Sequence, residues 1–272
     1  MNVLDILSDA EYSKLRTYVY EKLGIEIGEK KKDAVSTKII KLANRRKMNS
    51  CKEYVNFIVF TTDEAAIQEF INEITTSTTE FFRESAHFEY IKNNINDIIA
   101  EIPRIKREGE MRVWSAPCSS GEEALTLSMV LQENLPVGIY PKILATDISQ
   151  GVLTKALRGI YTENECKGIP KTLLLKYFIK QPNGSYQAGP DLIKYISYRL
   201  CNLVEDFNIS HGFDIIFCRN LMIYFNQDSQ QKLIDKFYDV LVPNGLFFIG
   251  HSENLLNKTH KLKYVQTALF KK

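Results

Sequence analysis

The first quarter of the chain places apolar residues at helical spacing. Four stretches carry this pattern, and they are Leu15–Leu23, Val35–Ala43, Tyr54–Phe60 and Ala65–Ile74. A recurrence every three or four residues is typical of amphipathic helices, whereas a half-buried strand alternates at every second residue. Ser8-Asp9 and Thr62-Asp63 are suitable N-caps for two of these helices. The pattern predicts a small all-helical domain over residues 1–74.

From residue 111 onward the pattern changes to short apolar runs separated by helical stretches. The runs read MRVWSAP, KILATDI, YISYRLCNL, FDIIFCRN, LFFIGH and YVQTALFK. The helical stretches between them are Glu122–Leu135, Gln150–Arg158 and Asp228–Leu241. Alternating strands and helices predict a doubly wound, Rossmann-like α/β domain with a mostly parallel sheet.

This alternation is interrupted between Tyr161 and Tyr195. Three short runs there predict hairpin strands around the turn Pro182-Asn183-Gly184. The predicted strands are Lys176–Lys180, Gly184–Gln187 and Ile193–Ser197. We therefore expect a small antiparallel β insertion at about residues 162–197 of the α/β domain.

Composition places the chain among ordinary globular proteins. It has 272 residues, of which 44% are hydrophobic and 25% charged. No apolar run approaches the roughly 20 residues of a membrane span, and the first ten residues lack the features of a secretion signal. A formal net charge of +2 is too small to indicate nucleic-acid binding. These features predict a cytoplasmic protein with no membrane insertion and no nucleic-acid partner.

The cysteines and histidines form no metal-binding pattern along the sequence. There are five cysteines without a C-x-x-C pair, and the four histidines do not fall at the spacing of metal ligands. We expect reduced thiols and no metal. Cys118 and Cys218 are interpreted as small apolar packing residues rather than nucleophiles.

One segment of the helical domain is strongly basic. Eight of the eighteen residues from Lys30 to Lys47 are Lys or Arg. On a helix, one face would carry Lys31, Lys38, Lys41 and Arg45, beside an apolar face. The basic face is either a solvated surface or a docking surface for an acidic partner.

Two segments have the form of a cofactor site. Met111–Glu123 reads as strand, tight turn and helix start, and Asp147 ends another apolar run 26 residues after Gly121. The turn contains one glycine followed by Glu122 and Glu123, which suits a pyrophosphate poorly. A positively charged nucleoside cofactor such as S-adenosylmethionine is favoured, and a capped turn without a ligand is the alternative.

Five motifs together carry a family resemblance. They are TTSTTEFFRESAHF at 75–88, WSAPCSSGEEA at 114–124, ATDIS at 145–149, FDIIFCRNLMIYFN at 213–226 and GHSEN at 250–254. In these motifs the chain resembles the CheR family of chemotaxis receptor methyltransferases, which methylate glutamate side chains of membrane chemoreceptors. The resemblance implies a protein-glutamate O-methyltransferase that uses S-adenosylmethionine and releases S-adenosylhomocysteine. It also implies a linker over residues 75–88 and a catalytic domain over 89–272.

The resemblance assigns roles to matching positions. Cofactor contacts would come from Ser77, Thr79, Arg83, Glu123, Asp147, Asn202, Leu203, Arg219 and Asn220. Tyr224 would lie near the reacting methyl group, and Arg83 and Tyr224 are the expected catalytic residues. Two positions depart from the family pattern, with Ser77 replacing an asparagine and Ala124 a common proline. The serine lacks the amide that can both donate and accept, so that contact is expected to be weaker or bridged by water.

The resemblance also implies partners. The basic segment would meet the acidic methylation region of a chemoreceptor cytoplasmic domain, and the enzyme would be recruited to receptor arrays at the membrane. In some members the β insertion binds a tethering peptide from the receptor. Methylation of a nucleic-acid base is disfavoured, because the N-P-P-Y-like loop common in such enzymes is replaced by Arg219–Tyr224. A non-catalytic adaptor that binds S-adenosylmethionine remains the alternative from another functional class.

Overall fold

The computed structural model describes residues 6–206, 212–256 and 258–272. The N-terminal part consists of four helices, which are α1 (Asp9–Leu23), α2 (Lys32–Arg45), α3 (Cys51–Phe60) and α4 (Glu64–Ile74). Ser8 caps α1 in a capping box with Glu11, and Asp63 caps α4 by accepting a hydrogen bond from Ala65. The predicted all-helical pattern is confirmed. A short 3-10 turn, Glu29–Lys31, precedes α2.

The α/β part contains the remaining elements. Its helices are α5 (Ala86–Glu101), α6 (Arg104–Glu108), α7 (Glu122–Asn134), α8 (Gln150–Arg158), α9 (Lys171–Tyr177), α10 (Pro190–Ile193) and α11 (Gln227–Val240). Its strands are β1 (Glu110–Ser115), β2 (Tyr140–Asp147), β3 (Ile160–Tyr161), β4 (Phe178–Lys180), β5 (Tyr186–Ala188), β6 (Ile196–Leu200), β7 (Phe213–Cys218), β8 (Leu241–Ile249), β9 (Lys263–Gln266) and β10 (Leu269–Lys271). The predicted helices of this part are confirmed to within a residue at each end.

The main sheet has seven strands in the order β6-β2-β1-β7-β8-β10-β9. The first five are parallel, and β10 and β9 are antiparallel. Helices α5 and α7 pack on one face through side chains such as Ile95 and Leu127, and α11 packs on the other through Phe237. This is the doubly wound arrangement that the alternation of strands and helices predicts.

Two strand predictions are wrong. Ile193–Ser197 was predicted as a hairpin strand of the insertion, but Ile193 ends α10 and Ile196 begins β6. β6 is the edge strand of the main sheet and is parallel to β2, because Ile196 and Tyr198 pack against the main core. The final run YVQTALFK was predicted as one strand, yet it forms the hairpin β9–β10, with Ala268 in the left-handed region at φ 60°.

The insertion forms a separate small sheet. Its three strands lie in the order β3-β5-β4, and both pairings are antiparallel. The turn at Pro182-Asn183-Gly184 is as predicted, and Gly184 takes φ 84°. The sheet begins at Ile160 and ends at Ala188, so the predicted range of 162–197 is displaced towards the C-terminus.

The helical part contacts the α/β part through direct hydrogen bonds. The Asn72 side-chain oxygen accepts from the Ser149 hydroxyl at 2.6 Å and from the Gly151 amide at 3.0 Å, at the N-terminus of α8. The Glu26 amide donates to the Tyr224 carbonyl at 2.8 Å. These contacts hold the four helices over the carboxyl ends of the parallel strands. Within the described ranges, no helix combines the length and the apolar character that a membrane crossing requires.

We predict that Gly121→Ala destabilises the fold more than Gly138→Ala. Both glycines have positive φ, at 97° and 91°, so either alanine adds about 1–2 kcal/mol of backbone strain. At Gly121 a Cβ would also lie 2.9 Å from the Ala156 Cβ and 3.0 Å from the Tyr161 hydroxyl, whereas at Gly138 nothing lies within 4 Å. We expect the free energy of unfolding to fall by about 2–4 kcal/mol in Gly121→Ala and by about 1–2 kcal/mol in Gly138→Ala, measured by denaturant titration. Equal losses would contradict the steric argument.

Candidate functional site

A cavity of about 370 Å³ lies between the helical part and the carboxyl ends of β1, β2 and β7. In parallel α/β sheets this edge is where ligands bind. The cavity is lined by every residue predicted for the site, which are Ser77, Thr79, Arg83, Glu123, Asp147, Asn202, Leu203, Arg219, Asn220 and Tyr224. The fold thus brings together positions from five separate segments. Lys31 and Lys38 of the helical part also line it.

The turn between β1 and α7 places its two glutamates in different environments. Glu122 is buried and accepts hydrogen bonds from the Ser120 hydroxyl at 2.8 and 3.0 Å. Glu123 lines the cavity and accepts from the Ser115 hydroxyl at 2.7 Å, while the Arg219 guanidinium lies 3.1 Å away. Burial raises the pKa of Glu123, and the Arg219 charge opposes this shift. Only the second glutamate is therefore available to a ligand.

Asp147 lies at the end of β2 and is 9% exposed. Its carboxylate accepts from the Ser119 amide at 2.9 Å and, through the other oxygen, from the Ser149 amide at 3.0 Å. Burial raises the pKa of Asp147, and these backbone hydrogen bonds oppose the shift. A carboxylate oxygen has about two acceptor positions, so each oxygen keeps one that can receive a ligand hydroxyl.

Arg219, at the end of β7, contacts several groups of the site. Its guanidinium lies 3.1 Å from Glu123 and 3.3 Å from Glu84, and it donates to the Arg83 carbonyl. The side chain is only 2% exposed. Burial would raise the pKa of Glu84, but the Arg219 charge and other contacts leave that pKa below its usual value. Arg219 therefore ties the linker to the start of α7.

The linker keeps Arg83 at the cavity wall. Phe82 and Glu84 on either side have φ of 57° and 55°, which turns the chain sharply at this point. The Arg83 guanidinium donates to the Thr78 carbonyl at 3.0 Å, and the Ser77 carbonyl accepts from the Ser119 hydroxyl at 2.9 Å. Arg83 thus retains several donors for an anionic group.

Glu253 was not predicted as a functional residue, although it lies in the GHSEN motif. Its carboxylate is 9% exposed and accepts hydrogen bonds from the amides of Gly250 at 2.7 Å, Asn220 at 3.0 Å and Met222 at 2.7 Å. These bonds fix the loop that contains Asn220, whose φ is 57°, and leads into the 3-10 turn Met222–Tyr224. Burial raises the pKa of Glu253, and its hydrogen bonds with backbone amides oppose this. In the sequence, the signal that could have indicated Glu253 was its position as a carboxylate shortly after a predicted strand.

Asn202 and Leu203 close the wall of the cavity towards α1. The Asn202 amide donates to the Lys22 carbonyl at 2.8 Å and to Glu205 at 2.9 Å, so both of its hydrogens are engaged. Leu203 is 8% exposed and packs in the core beside α11. Their predicted contacts with the cofactor stay predictions.

The four predicted basic residues divide into two pairs. Lys41 and Arg45 lie 2.8 and 3.3 Å from Glu73 of α4, so their charges are largely balanced within the helical part. Lys31 instead has its Nζ 5.6 Å from the centre of the Tyr224 ring, and the Lys38 Nζ donates to the Ile74 carbonyl at 3.3 Å. The second pair therefore places positive charge at the cavity.

The cysteines are free thiols, as expected. Cys118 and Cys218 are fully buried, and burial raises the pKa of both thiols well above the usual value. A neutral buried thiol is a poor nucleophile. Both residues therefore act as packing residues near the site.

The cavity lining fits S-adenosylmethionine. That molecule presents ribose hydroxyls, a sulfonium and an ammonium group, and a carboxylate. Asp147 and Glu123 offer carboxylate oxygens for the hydroxyls and the cations, and Arg83 offers donors for the carboxylate. The observation that decides the fit is that each oxygen of the Asp147 carboxylate accepts one backbone hydrogen bond and can accept another from a ribose hydroxyl.

Comparison with known proteins identifies the family of the chain. Residues 10–75 match the family model described as CheR methyltransferase, all-alpha domain, and residues 77–270 match CheR methyltransferase, SAM binding domain. A chemotaxis protein methyltransferase of Borreliella burgdorferi is 38% identical over 266 residues, covering 96% of this chain and 94% of the relative. The proteins of the same name from Salmonella typhimurium and Escherichia coli are 36% and 35% identical, over 92% and 91% of this chain and 86% and 85% of theirs. The chain therefore belongs to the CheR methyltransferase family, whose cofactor is S-adenosylmethionine.

Proposed function

We propose that this protein transfers a methyl group from S-adenosylmethionine to glutamate carboxylates of membrane chemoreceptors, as part of chemotaxis adaptation. The products are glutamate methyl esters and S-adenosylhomocysteine. The observation that carries the proposal is one cavity that is lined both by the carboxylates Asp147 and Glu123 and by the ammonium groups of Lys31 and Lys38. Curated relatives named chemotaxis protein methyltransferase support the assignment of chemoreceptors as substrates.

The side chains of the cavity suit a carboxylate as methyl acceptor. S-adenosylmethionine supplies a methyl group on a positively charged sulfur, and the C–S bond breaks as the new O–C bond forms. A glutamate with a pKa near 4.3 is already ionised at neutral pH, so it needs no general base. Among the described residues, no histidine lines the cavity. Four acidic residues line it, and two of them, Glu123 and Asp147, already accept hydrogen bonds; the others are Glu26 and Glu80. The protein's contribution is then alignment of the reactants and exclusion of water.

On the cofactor side, we assign Asp147 and Glu123 to different groups of S-adenosylmethionine. Asp147 accepts the ribose hydroxyls, Glu123 faces the ammonium, and Arg83 holds the carboxylate. Arg219 keeps Glu123 and the Arg83 backbone in position through contacts of 3.1 Å and shorter. Ser77, the residue that replaces the family asparagine, makes a contact that is weaker or bridged by water, because its side chain lacks the amide. The remaining predicted positions, Thr79, Asn202, Leu203 and Asn220, complete the wall.

On the substrate side, the positive charge of Lys31 and Lys38 favours an anionic residue in the cavity over a lysine. The Tyr224 hydroxyl orients the attacking carboxylate oxygen. Since Lys41 and Arg45 pair with Glu73, we assign the contact with the acidic receptor region chiefly to Lys31 and Lys38.

A second receptor contact is proposed for the small sheet of the insertion. Strand β4 lies at the edge of this sheet, and Ile179 on it is 55% exposed. An extended peptide can add to such an edge through main-chain hydrogen bonds. A tethering segment of the receptor bound there would recruit the enzyme to receptor arrays at the membrane.

The decisive test is transfer of labelled methyl from S-adenosylmethionine to membranes that contain chemoreceptors. We expect label on the receptor that mild alkali removes, because alkali hydrolyses esters and spares N-methyl groups. Asp147→Ala should abolish labelling, whereas Asp97→Ala, at an exposed position in α5, should leave it unchanged. Cofactor binding without receptor labelling would instead identify an adaptor. Alkali-stable label would identify a different acceptor group.

Lys31→Ala tests the substrate side of the cavity. Loss of a positive charge worth about 1 kcal/mol predicts a rise of about fivefold in KM for the receptor, with unchanged affinity for S-adenosylhomocysteine. Lys30→Ala is the matched control, because Lys30 lies in the same 3-10 turn and does not line the cavity. Both quantities are measured by steady-state kinetics and calorimetry. Equal effects of the two substitutions would argue for general surface charge instead.

Glu253→Gln tests the loop that leads to Tyr224. The amide retains one acceptor oxygen and points an NH₂ group at backbone amides that also donate, so at least one of the three hydrogen bonds is lost. We expect kcat to fall about tenfold or more, corresponding to a loss of about 1.4 kcal/mol of transition-state stabilisation. Partial recovery in Glu253→Asp would support positioning by the carboxylate. A lower melting temperature with unchanged kcat would reduce Glu253 to a structural role.

A further inference from the structure

A cluster of potential metal ligands lies behind the wall of the cofactor cavity. One oxygen of Glu84 and one ring nitrogen each of His87 and His251 all lie within 4.8 Å of one another. They come from the linker, the start of α5 and the loop after β8. None of these three residues lines the cavity, so the cluster is separate from the cofactor site.

His87 is the unusual member of the cluster. Its side chain is 1% exposed, yet neither ring nitrogen has a hydrogen-bond partner within the described part of the chain. The Nδ1 atom lies 3.7 Å from the nearer Glu84 oxygen, too far for a hydrogen bond. A buried polar group without a partner costs about 1–3 kcal/mol, so the imidazole requires a ligand or a rearrangement to satisfy it.

We propose that Glu84, His87 and His251 bind a divalent transition metal such as Zn²⁺. Two histidines and a glutamate are a known ligand set for Zn²⁺, with metal–ligand distances of about 2.0–2.2 Å. At such distances tetrahedral ligand atoms lie roughly 3.3–3.5 Å apart. The 3.7 Å between the His87 Nδ1 and the Glu84 oxygen is close to this separation. The His251 ring is exposed, so it can move to bring its nitrogen to the same distance from the other two ligands. Because His251 is exposed, water can take the fourth position.

The metal would compete with Arg219. The Glu84 oxygen nearest His87 is the one that lies 3.3 Å from the Arg219 guanidinium. A metal bound to this oxygen withdraws it from Arg219, which also contacts Glu123 and the Arg83 carbonyl. Metal binding therefore weakens cofactor binding, and the coupling must act equally in the reverse direction. This part of the proposal rests on the cofactor site described above.

The test is calorimetric titration of Zn²⁺ into the full chain after treatment with a chelator, and Co²⁺ absorption as a spectroscopic readout. We expect one metal per chain, and an affinity that falls at least tenfold in His251→Ala and in Glu84→Gln. Saturation with S-adenosylhomocysteine should also weaken Zn²⁺ binding. His260→Ala and Cys201→Ser are matched controls that remove another histidine and the half-buried thiol, and both should bind as the unmodified protein does.

Several results would overturn the proposal. These are an absence of Zn²⁺ binding, full affinity in His251→Ala, or loss of binding in Cys201→Ser. Equal Zn²⁺ affinity with and without S-adenosylhomocysteine would overturn the competition with Arg219. Metal binding is measured without a receptor. An absence of metal binding is therefore distinguishable from an absence of methyl transfer to the receptor.

Discussion

The site depends on the buried guanidinium of Arg219. It contacts the carboxylates of Glu84 and Glu123 and the carbonyl of Arg83, so it joins the linker, the start of α7 and the end of β7. Removing one partner of a buried ion pair typically costs 3–5 kcal/mol, because the remaining charge stays buried and uncompensated. Here two negative carboxylates share one positive guanidinium, so loss of Arg219 would leave two negative charges uncompensated. Glu123 and Arg83, which both line the cavity, are positioned through this contact.

The cavity is a product of two structural parts. The α/β part contributes the strand ends and the turn before α7, and the helical part contributes Lys31 and Lys38. Contacts such as those of Asn72 with Ser149 and Gly151 fix the α4 end of the helical part against α8. The cavity therefore brings the carboxylates Asp147 and Glu123 and the ammonium groups of Lys31 and Lys38 into one space. This arrangement fits a transfer between a cationic donor and an anionic acceptor.

Much of the fold and of the site could be predicted from local patterns. The four N-terminal helices follow from helical spacing and from the caps at Ser8 and Asp63, and α8 was predicted at its observed bounds. The residues of the site followed from the family resemblance of the motifs. Asp147, Arg219 and Asn220 lie next to strand ends, as expected for this fold, whereas Ser77, Thr79 and Arg83 lie in the linker between α4 and α5. Strand membership could not be predicted in the same way. The segment of β6 was predicted both as a main-sheet run, YISYRLCNL, and as part of a hairpin strand, Ile193–Ser197. Packing of Ile196 against the main core decides for the larger sheet.

The sequence by itself determined the helical and α/β parts, the strand–turn–helix around Gly121 and the family, since these depend on residues near one another in the chain. Only the tertiary structure decided which charges are balanced and which face the cavity. Lys31 and Lys41 look alike on a helical wheel, but Glu73 neutralises one and Tyr224 lies beside the other. Glu253 and the pair of His87 and His251 likewise acquire partners or neighbours from distant segments. Such electrostatic relations depend on distances through space, which local sequence patterns do not encode.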